Sequence, residues 1–124
     1  MRLLLDTHVL LWWLSAQHLR PKAVAAIASA DSDVWVSAAT VWEMSIKAGL
    51  GKLAVPDDLS DQLIHHGLEI LPIGLTHVLA VRSLPPHHAD PFDRMLVAQA
   101  QVEDLTLVTR DDKIRCYAVQ VLRA

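Results

Sequence analysis

Short apolar runs in this chain are each followed or preceded by a segment of helical character, and that alternation limits the possible folds more than any other feature. RLLLD (Arg2 to Asp6), DVWVSA (Asp33 to Ala38), LEILPI (Leu68 to Ile73), TLVTRD (Thr106 to Asp111) and YAVQVL (Tyr117 to Leu122) read as strands. THVLLWWLSA, PKAVAAIASAD, AATVWEMSIKAGLGKL, PDDLSDQLIHHG, GLTHVLAVRSL and the run from Pro91 to about Glu103 read as helices. Pro21 and Pro91 suit first helical turns, and Gly49, Gly51 and Gly67 mark ends. Such alternation predicts an α/β fold, a three-layer α/β/α sandwich around a mostly parallel sheet. With 124 residues, positions 1–124 read as one domain with a real core.

Composition narrows the function classes. The chain is 52% hydrophobic, yet it has no charge-free apolar stretch of about 18 residues, so no membrane span is expected. VLLWWL is too short to span, follows Asp6 and lacks a signal-peptide cleavage pattern, so a cytoplasmic location is expected. A single cysteine, Cys116, excludes an internal disulfide and fits a reducing compartment; in IRCYAVQVL it reads as a buried structural thiol. A net charge of −3 argues against bulk-charge binding of nucleic acid while leaving room for a local basic rim.

In parallel sheets the functional cleft lies beyond the carboxyl ends of the strands. Asp6 ends the first strand. Glu43 lies in the helix after the second, flanked by Val41, Trp42, Met44 and Ile46. Asp93 sits at the third position of the helix that HHADPFDRMLVAQA opens, and Asp111 follows the fourth strand. Each acid also has an ordinary explanation. Asp6 can cap the helix at Thr7, Asp90 and Asp93 suit a helix start, Glu43 can be a surface acid, and Asp111 beside Asp112 can cap a turn. Gathered on one rim, the four carboxylates repel one another and raise each other's pKa, which a hard divalent cation relieves. Mg²⁺ or Mn²⁺ in such a place suits phosphodiester hydrolysis.

LLLDTHVLLWWL, VSAATVWEMSIKAGLGKL, HHADPFDRMLVAQA and LTLVTRDDKI, in that order and across nearly the whole chain, resemble the PIN-domain ribonucleases, and within them the VapC-type toxins of type II toxin–antitoxin systems. The resemblance implies a PIN-like sandwich, a Mg²⁺ or Mn²⁺ site and cleavage of RNA. It places the catalytic and metal-binding acids on Asp6, Glu43, Asp93 and Asp111, with Thr7 and Thr109 as small hydroxyls beside the metal. It further implies a VapB-like antitoxin partner, a homodimer, and larger toxin–antitoxin complexes on operator DNA. Trp12, Trp13 and Trp42 suit either those contacts or core packing.

Arg94, Arg110, Lys47, Lys52 and Lys113 are candidates to hold an RNA backbone, or are simply solvated charges. Three other functions compete. A phosphatase of the haloacid-dehalogenase type needs an acid where His8 stands. Zinc would need convergent ligands, but among the seven histidines the pairs His65–His66 and His87–His88 point apart on a helix, and no HxxxH or CxxC spacing occurs. On that reading the histidines are loop residues. A PIN-fold module that binds without catalysis would not need its full set of acids.

Overall fold

The computed structural model describes residues 1–124. The strands are β1 (Arg2–Leu5), β2 (Asp33–Ser37), β3 (Glu69–Leu71), β4 (Thr106–Thr109) and β5 (Val121–Arg123). The helices are α1 (Thr7–Leu14), α2 (Pro21–Ala28), α3 (Ala38–Gly49), α4 (Leu59–His65), α5 (Leu75–Val81) and α6 (Pro91–Glu103). A 3-10 turn over Ile114–Cys116 precedes β5. The sheet order is β3-β2-β1-β4-β5, and every pairing is parallel. The expected α/β/α architecture is therefore the one the chain adopts, with each element close to its predicted place except the last strand, expected over Tyr117–Leu122 but confined to Val121–Arg123 because the Tyr117 and Val119 amides close turns on the Ile114 and Tyr117 carbonyls.

Period-two alternation in β1 builds both cores at once. Leu3 and Leu5 join Val9, Leu10, Ala23, Val36, Met44 and Val108 under the helices of one face. Leu4 joins Leu96, Val97, Leu107, Ile114 and Tyr117 on the other. All three leucines are fully buried, as the middle strand of a sandwich demands. Helix ends follow local chemistry. Asp90 Oδ1 accepts from the amides of Phe92 and Asp93, with Pro91 at the first helical position of α6. After α3, Gly51 adopts φ of 70°, and the Lys52 amide returns to the Lys47 carbonyl, which ends the helix.

Cys116 departs from its sequence reading: it is exposed. The 3-10 turn is the reason, because Ile114 and Tyr117, three apart, take the interior positions and turn Cys116 outward. Trp12 and Trp13 are partly buried beside the first core, whereas Trp42 is 58% exposed. No helix is long and apolar enough to cross a membrane.

The layered core makes a graded prediction for urea denaturation. Leu4→Ala empties a fully buried site next to Leu107 and Leu96 and is expected to cost about 2–5 kcal/mol. Leu75→Ala, at a position 73% exposed, is expected to change stability by less than about 0.5 kcal/mol.

Candidate active site

The strand order turns around at β1: β2 and β3 lie on one side, β4 and β5 on the other. Chains leaving the carboxyl ends of β1 and β4 therefore diverge and open a crevice between them. Asp6 follows β1 directly. Its amide donates to the Val108 carbonyl at 3.1 Å, so the residue stays locked to the neighbouring strand. Its Oδ1 accepts from the Val9 amide at 2.8 Å and its Oδ2 from the Thr109 hydroxyl at 2.5 Å. Asp6 is thus both the α1 cap and a wall of the crevice. The two explanations of this residue were never exclusive.

Thr109 does a second task. Its Oγ1 also accepts from the Asp111 amide at 3.0 Å and so bends the chain after β4 back toward Asp6. Glu43, on α3, is 4% exposed, with the Thr7 hydroxyl donating to Oε1 at 2.6 Å and Lys47 Nζ held to Oε2 at 2.6 Å. Asp93 enters from the first turn of α6. Asp6, Glu43, Asp93 and Asp111 all line one cleft of about 280 Å³, together with Thr7, His8, Lys47, Asp90, Arg110 and a single apolar residue, Trp12. The structure brings every acid singled out in the sequence into that cleft.

Charge crowding shows in the proton affinities. Burial, reinforced by Asp90, Asp6 and Glu43, pushes the Asp93 carboxyl up to about 7. Burial also raises Asp6, against the pull of the Thr109 and Val9 hydrogen bonds. Burial works on Asp111 in the same direction, but the hydrogen bonds from His88 and the Lys113 amide overcome it and hold this carboxyl below its ordinary value. The Lys47 ammonium is raised by its hydrogen bond to Glu43. The donors are overwhelmingly carboxylate oxygens with more negative charge than Lys47 offsets, a chemistry that fits a hard divalent cation. One oxygen each of Asp93 and Asp111 and a nitrogen of His88 lie within 4.8 Å of one another.

The basic candidates separate. Arg94 does not reach into the cleft. Its guanidinium donates to the carbonyls of Pro85, His88, Val81 and Leu84 and to the Tyr117 hydroxyl, tying the end of α5 and the following loop to α6. Arg110 lines the cleft but donates to the carbonyls of Ala124 and His18 and lies 4.2 Å over the Trp12 ring. Lys47 is the one lysine that lines it. Sequence reasoning missed His88, whose Nε2 lies 2.8 Å from Asp111 Oδ2 and 3.1 Å from Asp93 Oδ2. The doublet HH hid it, because the two rings diverge: His87 packs edge-on against Tyr117 while His88 turns inward. The signal that could have found it is its place two residues before a helix cap, where a side chain folds back on the cap amide.

A pH dependence follows from Asp93. Its folded pKa lies above the unfolded value of 3.8, so between the two the folded chain keeps a proton that the unfolded chain loses. The stability this contributes is complete below the unfolded pKa and disappears as pH rises through about 7. In cation-free buffer, the melting temperature of the native chain is expected to fall relative to Asp93→Asn as pH rises from about 4 to about 8. Parallel melting curves for the two proteins would contradict the shift.

Comparison with known proteins gives the family and agrees with the fold. A family model described as the PIN domain matches residues 3–120. The fold is similar to that of VapBC2 from Rickettsia felis bound to a DNA fragment from their promoter, with a TM-score of 0.75 at 15% identity over 99% of this chain and 98% of that one. DNA-bound VapBC from Salmonella typhimurium gives 0.68 at 15% identity over 99% and 98%. A toxin–antitoxin complex from Klebsiella pneumoniae gives 0.65 at 21% identity over 96% and 94%. No curated protein matches the chain by sequence.

Proposed function

The chain belongs to the PIN domain family, and from that premise we propose that it is a metal-dependent endoribonuclease, the VapC-like toxin of a type II toxin–antitoxin pair. The observation that carries this reading is the cleft itself. Acids from four separate parts of the chain line it, at the point where the strand order reverses. Asp6, Glu43, Asp93 and Asp111 would hold Mg²⁺ or Mn²⁺. Such an ion, when bound, supplies stabilisation of charge on a phosphoryl oxygen and a lowered pKa for water.

The chain's own groups set the geometry. Thr109 and the Val9 amide fix both oxygens of Asp6, and Thr7 fixes one of Glu43, so these two carboxylates present constant directions. Lys47 spends one of its three donors on Glu43 and keeps the others for a phosphate oxygen at the cleft wall. Water attacks phosphorus in line as one of its protons passes to a rim carboxylate, the P–O3′ bond breaks, and the departing 3′-oxygen takes a proton from solvent, which gives 5′-phosphate and 3′-hydroxyl ends.

In this reading residues 1–124 act as one nuclease domain in the cytoplasm, as a homodimer held inactive by a VapB-like antitoxin. The similar fold of VapBC complexes supports that partner, and the DNA-bound examples support assembly of the pair on operator DNA. RNA cleavage by the purified chain tests the activity. Asp6→Asn and Asp93→Asn are each expected to lower the cleavage rate by more than about 100-fold with the fold intact by circular dichroism, and excess EDTA to abolish it. Full activity in both variants, or activity indifferent to EDTA, would refute the mechanism. A chain that binds Mn²⁺ and its antitoxin yet cuts none of a panel of transfer, ribosomal and messenger RNAs would instead be a binding module.

A further inference from the structure

His88 is a group for which the four-carboxylate site has no assigned use. Its ring is only slightly exposed, at 11% of the side chain, and it stands between two of the acids. Every part of the residue is held. Its amide donates to the Tyr117 hydroxyl at 2.9 Å, and its carbonyl accepts from Arg94 at 3.4 Å. Arg94 also donates to the same Tyr117 hydroxyl, at 3.2 Å, which closes a frame behind the imidazole. Its Nδ1 accepts from the Asp90 amide at 3.1 Å.

That last contact decides the chemistry. A backbone amide can only donate, so Nδ1 must present its lone pair, and the ring proton sits on Nε2. Nε2 is therefore a donor, and it faces Asp111 Oδ2 at 2.8 Å and Asp93 Oδ2 at 3.1 Å. A nitrogen that carries a proton has no lone pair to give a cation. For Nε2 to become a ligand the proton would have to move to Nδ1, directly against the Asp90 N–H.

We propose that His88 is a positioning residue of the metal site: its Nε2–H holds Asp111 Oδ2 while the ring stands 3.1 Å from Asp93 Oδ2, and it thereby fixes the two carboxylates relative to each other at the edge of the cation site. This rests on the metal-dependent reading above. Asp93 comes from α6 and Asp111 from the turn after β4. The Lys113 amide holds Asp111 from its own turn, and the side chain that spans the two acids is His88, hydrogen-bonded to Asp111 and beside Asp93. Partners of this kind, one step removed from the ion, typically contribute about 10–100-fold in metal affinity.

The test is Mn²⁺ binding by titration calorimetry, with the native chain, His88→Ala and His88→Gln. His88→Ala is expected to weaken Mn²⁺ binding about 10–100-fold, and His88→Gln, whose amide nitrogen reaches near the Nε2 position, to recover most of it. Pulsed EPR of the Mn²⁺-loaded native chain should lack the strong nitrogen coupling of a directly bound imidazole. Nitrogen NMR of the cation-free native chain should show the His88 proton on Nε2. Equal or tighter Mn²⁺ binding by His88→Ala, a directly bound imidazole nitrogen, or a proton on Nδ1 would each overturn the proposal. The two spectroscopic results decide it even if His88→Ala fails to fold. A native chain that binds no Mn²⁺ would bring down the metal-dependent reading and this proposal together, whereas native binding that is unchanged in His88→Ala would remove the proposal alone.

Discussion

One hydroxyl ties the cleft together. Thr109, at the end of β4, donates to Asp6 at the end of β1 and accepts from the Asp111 amide. Two adjacent parallel strands whose chains diverge would otherwise leave their last polar groups pointing into an unsatisfied gap. Here the gap is bridged by a side chain that is wholly buried. The hydrogen bond works because β1 and β4 are paired in fixed register, Leu5 opposite Val108. That register in turn is fixed by leucines that alternate between two cores. The placing of two acids thus reaches back to the apolar pattern of a four-residue strand.

Repulsion among the carboxylates is the cost of such convergence, and the chain answers it in two ways. Lys47 sits one helical turn beyond Glu43 and meets it across 2.6 Å. At the other two acids the imidazole of His88 stands close, donating to Asp111 and lying beside Asp93. Asp93 keeps a proton affinity near neutrality, chiefly through its burial, while that of Asp111 is depressed. The contrast between the two acids comes from burial and the crowding by Asp90 at Asp93, set against the hydrogen bonds that Asp111 accepts from His88 and the Lys113 amide.

Most of this was legible in the sequence because it is local or periodic. RLLLD announces a buried strand ending in an acid, and DPFDRML announces a capped helix with an acid in its first turn. What the sequence could not display are contacts set by three-dimensional proximity between side chains of similar type. His87 and His88 are chemically identical neighbours, and only the frame of Tyr117 and Arg94 distinguishes the inward ring from the outward one. Cys116 sits in an apolar alternation that suggests a buried thiol, but the segment is a 3-10 turn whose period of three turns the thiol outward. Arg94 and Arg110 drew attention as free cations, yet both spend their donors on backbone carbonyls whose positions no spacing rule reveals.

Arg94 has a consequence for genetics. Its planar fork gathers carbonyls of Val81, Leu84, Pro85 and His88, groups at a helix end and in a loop that have few other donors. Lysine, with a point charge and a different reach, cannot satisfy that set. On the proposed function, a screen for loss of activity would therefore return substitutions at Arg94 beside those at the acids, and a basic residue recovered in that company would be mistaken for a contact to nucleic acid. Its phenotype would belong to the architecture of one loop, and residual activity at low temperature would be the mark that tells the two kinds of variant apart.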